Sequence, residues 1–341
     1  MRRVFFLLLV LLNLRANSQP DFWANLVYYS GSPINHIPKG TTIPERDKES
    51  RSIMNSIING SSYMELNQQF PDSLDIKLSR LIKGKVIQKE EDHYEVLIPV
   101  LIGAKRSELK TLIREKVKGE NEFINDLINP LTNLLSDRPE MVFHFLWSRI
   151  IDNCWWDLYN SEFKTKTGPP SLAFIVYPFH PFQCGTNFDN TSDNSQIAIT
   201  WSYSLLEEFS SLPPTASFYN LVLNKPVSDK EKSFFLKHGF INSDNVSKLF
   251  VYSDGSKLDL LCDSLRERYI DKLKGMFNYQ ELSKVYHIPS DDLFMLMSHE
   301  IVYEFFELLH EGKKSLFIPI IRENNPDQNF SSLISIRLHK P

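Results

Sequence analysis

At 341 residues the chain is long enough for one large core or two smaller ones, and 38 Lys and Arg against 42 Asp and Glu give it a formal net charge of −4. That acidic balance argues against a general nucleic-acid binder, which needs a basic surface. Three cysteines, Cys154, Cys184 and Cys262, are too few for a disulfide scaffold, and their wide spacing excludes a CxxC zinc or redox motif.

The N-terminus reads as an export signal over residues 1–18. Arg2 and Arg3 precede a continuous apolar run from Val4 to Leu12, and Ala16-Asn17-Ser18 presents small residues where a signal peptidase reads them. The run is about half the ~20 residues needed to span a bilayer, so no transmembrane anchor is expected in the mature chain. Cleavage before Gln19 leaves 323 residues; loss of Arg2, Arg3 and Arg15 leaves 35 basic and 42 acidic groups, a net charge of −7. The expected destination is periplasmic or extracellular. There one disulfide becomes available, with all three cysteine pairings open.

Gln19 to Arg46, punctuated by Gly31, Pro33, Pro38, Gly40 and Pro44, predicts an irregular arm. A helix is expected from Arg46 to about Ile58, stopped by Asn59-Gly60. Asp72 opens another over Ser73–Lys83, whose apolar face is Leu74, Leu78, Leu81 and Ile82. Lys85–Glu90 and Tyr94–Ile102 read as a hairpin around Glu91-Asp92-His93, with Pro99 confining the second strand to an edge or bulge. Ser107 caps a helix over Glu108–Lys118, and Asn121–Leu135 forms the next, interrupted at Pro130. Glu140–Phe163 is apolar around most of its circumference and reads as a buried central helix. Its polar residues recur every four positions, as His144, Ser148 and Asp152 and as Arg149, Asn153 and Asp157, which predicts one polar seam.

Thr165–Pro170 is the best linker in the chain. It divides an expected helical domain with a hairpin, residues 19–164, from a mixed domain, residues 171–341, unless the two are continuous. Leu172–Tyr177 is a short apolar run between prolines and reads as a buried strand followed by a loop through Asp189. Strands follow at Gln196–Trp201 and Ser217–Leu223, with a helix at Tyr203–Phe209 between them. Ser228-Asp-Lys-Glu231 is a capping box opening a helix that ends at Gly239. A strand at Leu249–Tyr252, a turn at Asp254-Gly255, helices over Leu258–Phe277 and Asp291–Glu311, and strands at Ser315–Ile321 and Leu333–Leu338 complete the chain. The fold class is α+β, with a mainly helical first half and a mixed second half.

Three stretches carry candidate chemistry. His180, Cys184, Asn187 and Asp189 follow the Leu172–Tyr177 strand, where α/β proteins often place a site. In a hydrolase or thiol enzyme Cys184 would be the nucleophile, His180 its base, and Asn187 or Asp189 the orienter. The structural reading is a buried thiol and a histidine bonded to backbone. His299-Glu300 starts an HExxH pattern, but Tyr303 occupies the second histidine position, so an exposed helix face is expected there. Asp254-Gly-Ser256 after a strand resembles the strand end of a von Willebrand A-type metal site. Leu258 stands where its second serine belongs, and too little chain follows for that domain. There is no GxSxG, P-loop or GxGxxG, so no cofactor is called for. The reading that results is an exported binding or assembly protein of the cell envelope or exterior, whose partner is an unidentified protein or small-molecule ligand, not nucleic acid. The thiol enzyme is the alternative.

Overall fold

The computed structural model describes residues 26–28, 48–83, 86–101, 103–152, 154, 158, 173–176, 184–191, 195–202, 213–312 and 333–339. The export segment, most of the expected N-terminal arm, the linker at 165–170, His180, the expected helix at 203–209 and the expected strand at 315–321 lie outside them. The fold is α+β. The described chain falls into two compact units. One takes residues up to Lys110 with 173–176 and Gln280–Leu296, and the other takes the remainder.

The first unit is built on α1 (Lys48–Ile58), α2 (Tyr63–Gln69), α3 (Leu74–Lys83) and the hairpin β2 (Ile87–Glu90) and β3 (His93–Val96). Gly60, at φ +85°, takes the left-handed conformation that ends α1. The second helix escaped the sequence reading although its start is encoded. Ser62 accepts from the Glu65 amide and Glu65 reaches back to the Ser62 amide, a complete capping box. Ile53, Met54, Ile57, Leu66, Leu74, Leu78, Leu81, Val86 and Ile87 form one buried cluster under the hairpin. Pro99 splits the expected second strand. After β3 the chain leaves the hairpin, and β4 (Val100–Leu101) joins a second sheet of order β1-β5-β4, where β1 is Leu26–Tyr28 and β5 is Ala173–Val176. The helix α4 (Gly103–Lys118) starts four residues before the expected cap. Ser107 lies inside it and donates back to the Gly103 carbonyl at 3.3 Å.

The second unit is layered. A four-stranded sheet of order β6-β7-β9-β8 (Cys184–Thr191, Ser195–Ser202, Ile334–Leu338, Phe250–Ser253) is antiparallel except for the β8–β9 pair. The central helix packs on β6 and β7, and α9 (Lys257–Met276) packs on that helix and on α5 (Asn121–Leu134). Pro130 lies within α5 without ending it. The central helix is not one regular spiral. A 3₁₀ turn at Pro139–Met141 leads into α6 (Val142–Phe145) and then a π-helical segment, Leu146–Ile151. Every residue from Met141 to Ile151 is buried, as its composition implied. The wide π turn rotates Asp152 off the four-residue repeat of His144 and Ser148, while Asn153 and Asp157 of the expected seam lie outside the described residues.

Two further expectations fail. Residues 184–189, read as loop, are strand β6, paired position by position with β7 from Cys184↔Ser202 to Thr191↔Ser195. The partner strand supplies the hydrogen bonds that the local sequence does not advertise. Residues 217–223, read as strand, lie in α7 (Thr215–Val222). Pro214 precedes its first turn, and burial of Phe218 and Leu221 at helical spacing overrides the aromatic and branched composition. The chain then continues through α8 (Asp229–Lys237, capped by Ser228 and Glu231 as expected), α10 (Tyr279–Tyr286) and α11 (Ser290–Gly312). Among the described residues no helix is long and apolar enough to cross a membrane.

Candidate functional site

Three of the four residues singled out in the sequence lie on one strand, β6. His180 lies outside the described residues. Cys184 opens β6, and Asn187 lies in its middle, opposite Ile199. Asp189 is exposed and accepts a 2.7 Å hydrogen bond from the Thr215 hydroxyl, which ties β6 to the start of α7. Cys154 and Cys262 are buried thiols, neither in a disulfide. Burial pushes Cys262 up to about 12, which leaves it almost wholly protonated at neutral pH.

The polar residues of the central helix turn to different partners. His144 is fully buried, with Nδ1 2.9 Å from the Thr200 hydroxyl on β7 and Nε2 2.8 Å from the Ser335 hydroxyl on β9. Burial first, and the Arg149 charge second, lower its pKa to about 3, so the ring is neutral. Ser148 does not meet it; its hydroxyl donates to the His144 carbonyl at 2.6 Å. Asp152 is raised to about 6 by burial, against the influence of neighbouring Thr186, which pulls it down. Arg149 finds its described partners on other elements. Its guanidinium reaches Tyr252 Oη at 2.9 Å, Asp259 at 2.9 Å and Asp263 at 3.0 Å.

That contact is the centre of a charge network at the end of β8. Asp259 also accepts from Arg337 at 2.9 Å and from the Gly255 amide at 3.0 Å. Asp254 pairs with Arg337 at 2.6 Å and His339 at 3.0 Å, and Asp263 with Arg266 at 3.0 Å. Arg266 further caps the Arg149 carbonyl, inside the π turn. Three guanidiniums meet three carboxylates. Burial disfavours the Arg149 charge, but its anionic surroundings more than reverse this. The thiol beside it, Cys262, is held protonated by its burial, and arginine does not give up its proton. It is a clamp joining the central helix, β8, β9 and α9. The two residues that suggested a metal site are absorbed in it. Asp254 is ion-paired and Ser256 caps α9. Among the described residues no cluster of three or more His, Cys, Asp or Glu is placed to hold a metal. The His299-Glu300 face is likewise not exposed. Glu300 and Glu304 are 2% and 4% accessible, and Arg114 lies 3.9 Å from both Glu304 and Glu307.

A concave groove lies in the first unit, among residues that the sequence reading did not single out as a site. An open groove of about 460 Å³ is lined by Tyr63, Asp75, Leu78, Ser79, Ile82, Lys83, Lys89 and Tyr94. Each wall is set by local chemistry. The capping box fixes the first turn of α2, and the Tyr63 amide donates to the Asp92 carbonyl in the hairpin turn at 2.8 Å. Tyr63 Oη donates to Asp75 on α3 at 3.0 Å. That bond raises the Tyr63 pKa above its ordinary value, and burial followed by the Tyr63 and Asp75 charges does the same for Tyr94. Both phenols therefore stay neutral donors at physiological pH. Lys89 and Tyr94 are cross-strand partners on the face of the hairpin that carries buried Ile87, and Lys89 Nζ lies 6.0 Å from the Tyr63 ring centre. Compared with known proteins, the chain matches no family model, no curated sequence and no solved structure.

Proposed function

We propose that this is an exported binding protein whose ligand enters the groove between α3 and the β2–β3 hairpin. The observation that carries this reading is the groove. Its volume of about 460 Å³ lies within the roughly 300–1,000 Å³ of small-ligand sites. It combines apolar Leu78 and Ile82 with phenol, ammonium and carboxylate groups in its lining. The export half of the reading rests on the Arg2-Arg3, Val4–Leu12 and Ala16–Ser18 pattern.

Binding is tested by a fragment screen read by thermal shift, run in parallel on the natural chain and on Ile82→Trp. Ile82 is 41% exposed, so a larger ring there fills the groove without opening the core. Fragments that stabilise the natural chain and lose that effect in the variant support the reading. Fragments that bind both equally, or none at all, overturn it. Export is tested separately by the intact mass of secreted protein, expected to begin at Gln19.

A further inference from the structure

We infer that the groove selects a small amphiphilic anion, an apolar chain or ring ending in a carboxylate. This rests on the groove being a binding site and adds the sign and shape of what it binds.

The shape follows from the lining. Leu78 is buried at the base, and Ile82 continues the same face of α3 one turn on, toward solvent. Tyr63 has its hydroxyl committed to Asp75 and so presents its ring. Tyr94, half-buried, forms the facing wall. The methylene stems of Lys83 and Lys89 extend this apolar surface to the rim while their ammonium groups stay wet.

The sign follows from the charges. Lys83 and Lys89 are exposed, and neither makes an ion pair with a described carboxylate, whereas Lys77 on the same helix is held by Glu49 at 2.8 Å. The carboxylates of the hairpin strands do not neutralise them. Glu90 and Glu95 belong to the opposite phase of the strands, where the Gln88 amide donates to both, at 2.9 and 2.5 Å. The one carboxylate in the lining, Asp75, already accepts from Tyr63. The groove thus offers two unmatched cations against one engaged anion. A cationic ligand would meet repulsion at the rim, and a purely apolar one would leave both ammoniums unused. The shared chemistry, a carboxylate on an apolar body, fits a free acid or the C-terminus of a peptide.

The test is calorimetric titration with four probes: octanoate, octylamine, N-acetyl-Leu-Leu as the free acid, and its C-terminal amide. Titrations use the natural chain and the Lys83→Gln/Lys89→Gln double variant, whose exposed sites leave the core intact. Octanoate is expected to bind at least about tenfold more tightly than octylamine and to lose about tenfold in the double variant, as two rim ion pairs would supply. If the peptide acid outcompetes both its amide and octanoate, the carboxylate chemistry holds and its source is a chain terminus. If octanoate outcompetes the peptide acid, the source is a free acid. Octylamine binding as well as octanoate, or octanoate indifferent to loss of both lysines, overturns the charge selection. The groove reading then survives on its own Ile82→Trp test. Absence of binding by all four probes overturns this inference, and the fragment screen still decides the groove.

Discussion

Arg149 is the residue on which the second unit depends most. It is 2% exposed, charged, and bonded to three side chains from β8 and α9. Replacing a whole buried ion network with apolar groups is often harmless, but removing one partner strands the others without compensation. Arg149→Met leaves Asp259, itself buried, with only Arg337 and the Gly255 amide. The expected cost is about 3–5 kcal/mol, read from the urea midpoint at neutral pH. A cost below about 1 kcal/mol would show that the network holds nothing together. Cys262, against the same guanidinium, gives a second test. With its thiol pushed up to about 12 and no exposed surface, it should resist iodoacetamide at pH 8 in the native protein and react in urea, as should buried Cys154. Rapid native labelling of either would contradict the packing described here.

At the scale of elements, the two capping boxes separate stability from binding. Ser62→Ala and Ser228→Ala each remove a side-chain cap and should each cost about 1 kcal/mol. Only Ser62 adjoins the groove, through Tyr63, so only Ser62→Ala should also weaken octanoate binding. Equal binding in both variants would mean that the α2 cap does not position Tyr63. Signals of this local kind are what made much of the fold legible. The Ser228 box, the Asp254-Gly255 turn with its Ser256 cap, and the apolar spacing of α3 were all readable along the chain. Ser62-x-x-Glu65 carried the same signal and marked α2, although the surrounding polar residues concealed it. Strand β6 was not legible, because its hydrogen bonds are supplied by β7 and its own residues are mostly polar. Nor was the π segment, since periodicity arguments assume 3.6 residues per turn and the wider turn is stabilised from outside, by Arg266 on α9. Sequence reasoning sought a site in clustered reactive residues. The groove takes ordinary residues from α2, α3 and both hairpin strands, brought together by the Lys89–Tyr94 pairing, the Tyr63–Asp75 hydrogen bond and the Tyr63 amide on the Asp92 carbonyl.

At the scale of the whole molecule, two groups of the central helix, His144 and Asp152, should oppose each other in the response to acid. His144 titrates at about 3 folded and 6.5 unfolded. Between those values the unfolded chain holds the extra proton, so this group makes stability rise with pH, fully present above 6.5 and lost on descent toward 3. Asp152 behaves oppositely. It is raised from 3.8 to about 6, so between those values the folded chain holds the extra proton and stability falls as pH rises. Where the windows overlap, from about pH 4 to 6, the two contributions have opposite sign and at most ~1.4 kcal/mol per pH unit each. The urea midpoint of the natural chain should therefore vary little there on their account, and should climb from pH 6 to 6.5 as only His144 still titrates. Below pH 4 it should drop, as Asp259, whose pKa is lowered by the Gly255 amide and Arg337 against the cost of its burial, also loses its charge. Each half of the balance can be exposed by removing the other. His144→Asn should give a midpoint that falls from pH 4 to 6, and Asp152→Asn one that rises. The slope for Asp152 should be the smaller, since that residue is only partly shielded from solvent. Profiles unchanged in both variants would remove these two groups from the acid response. Slopes of the same sign would mean that one of them is held in the opposite protonation state from the one its surroundings impose.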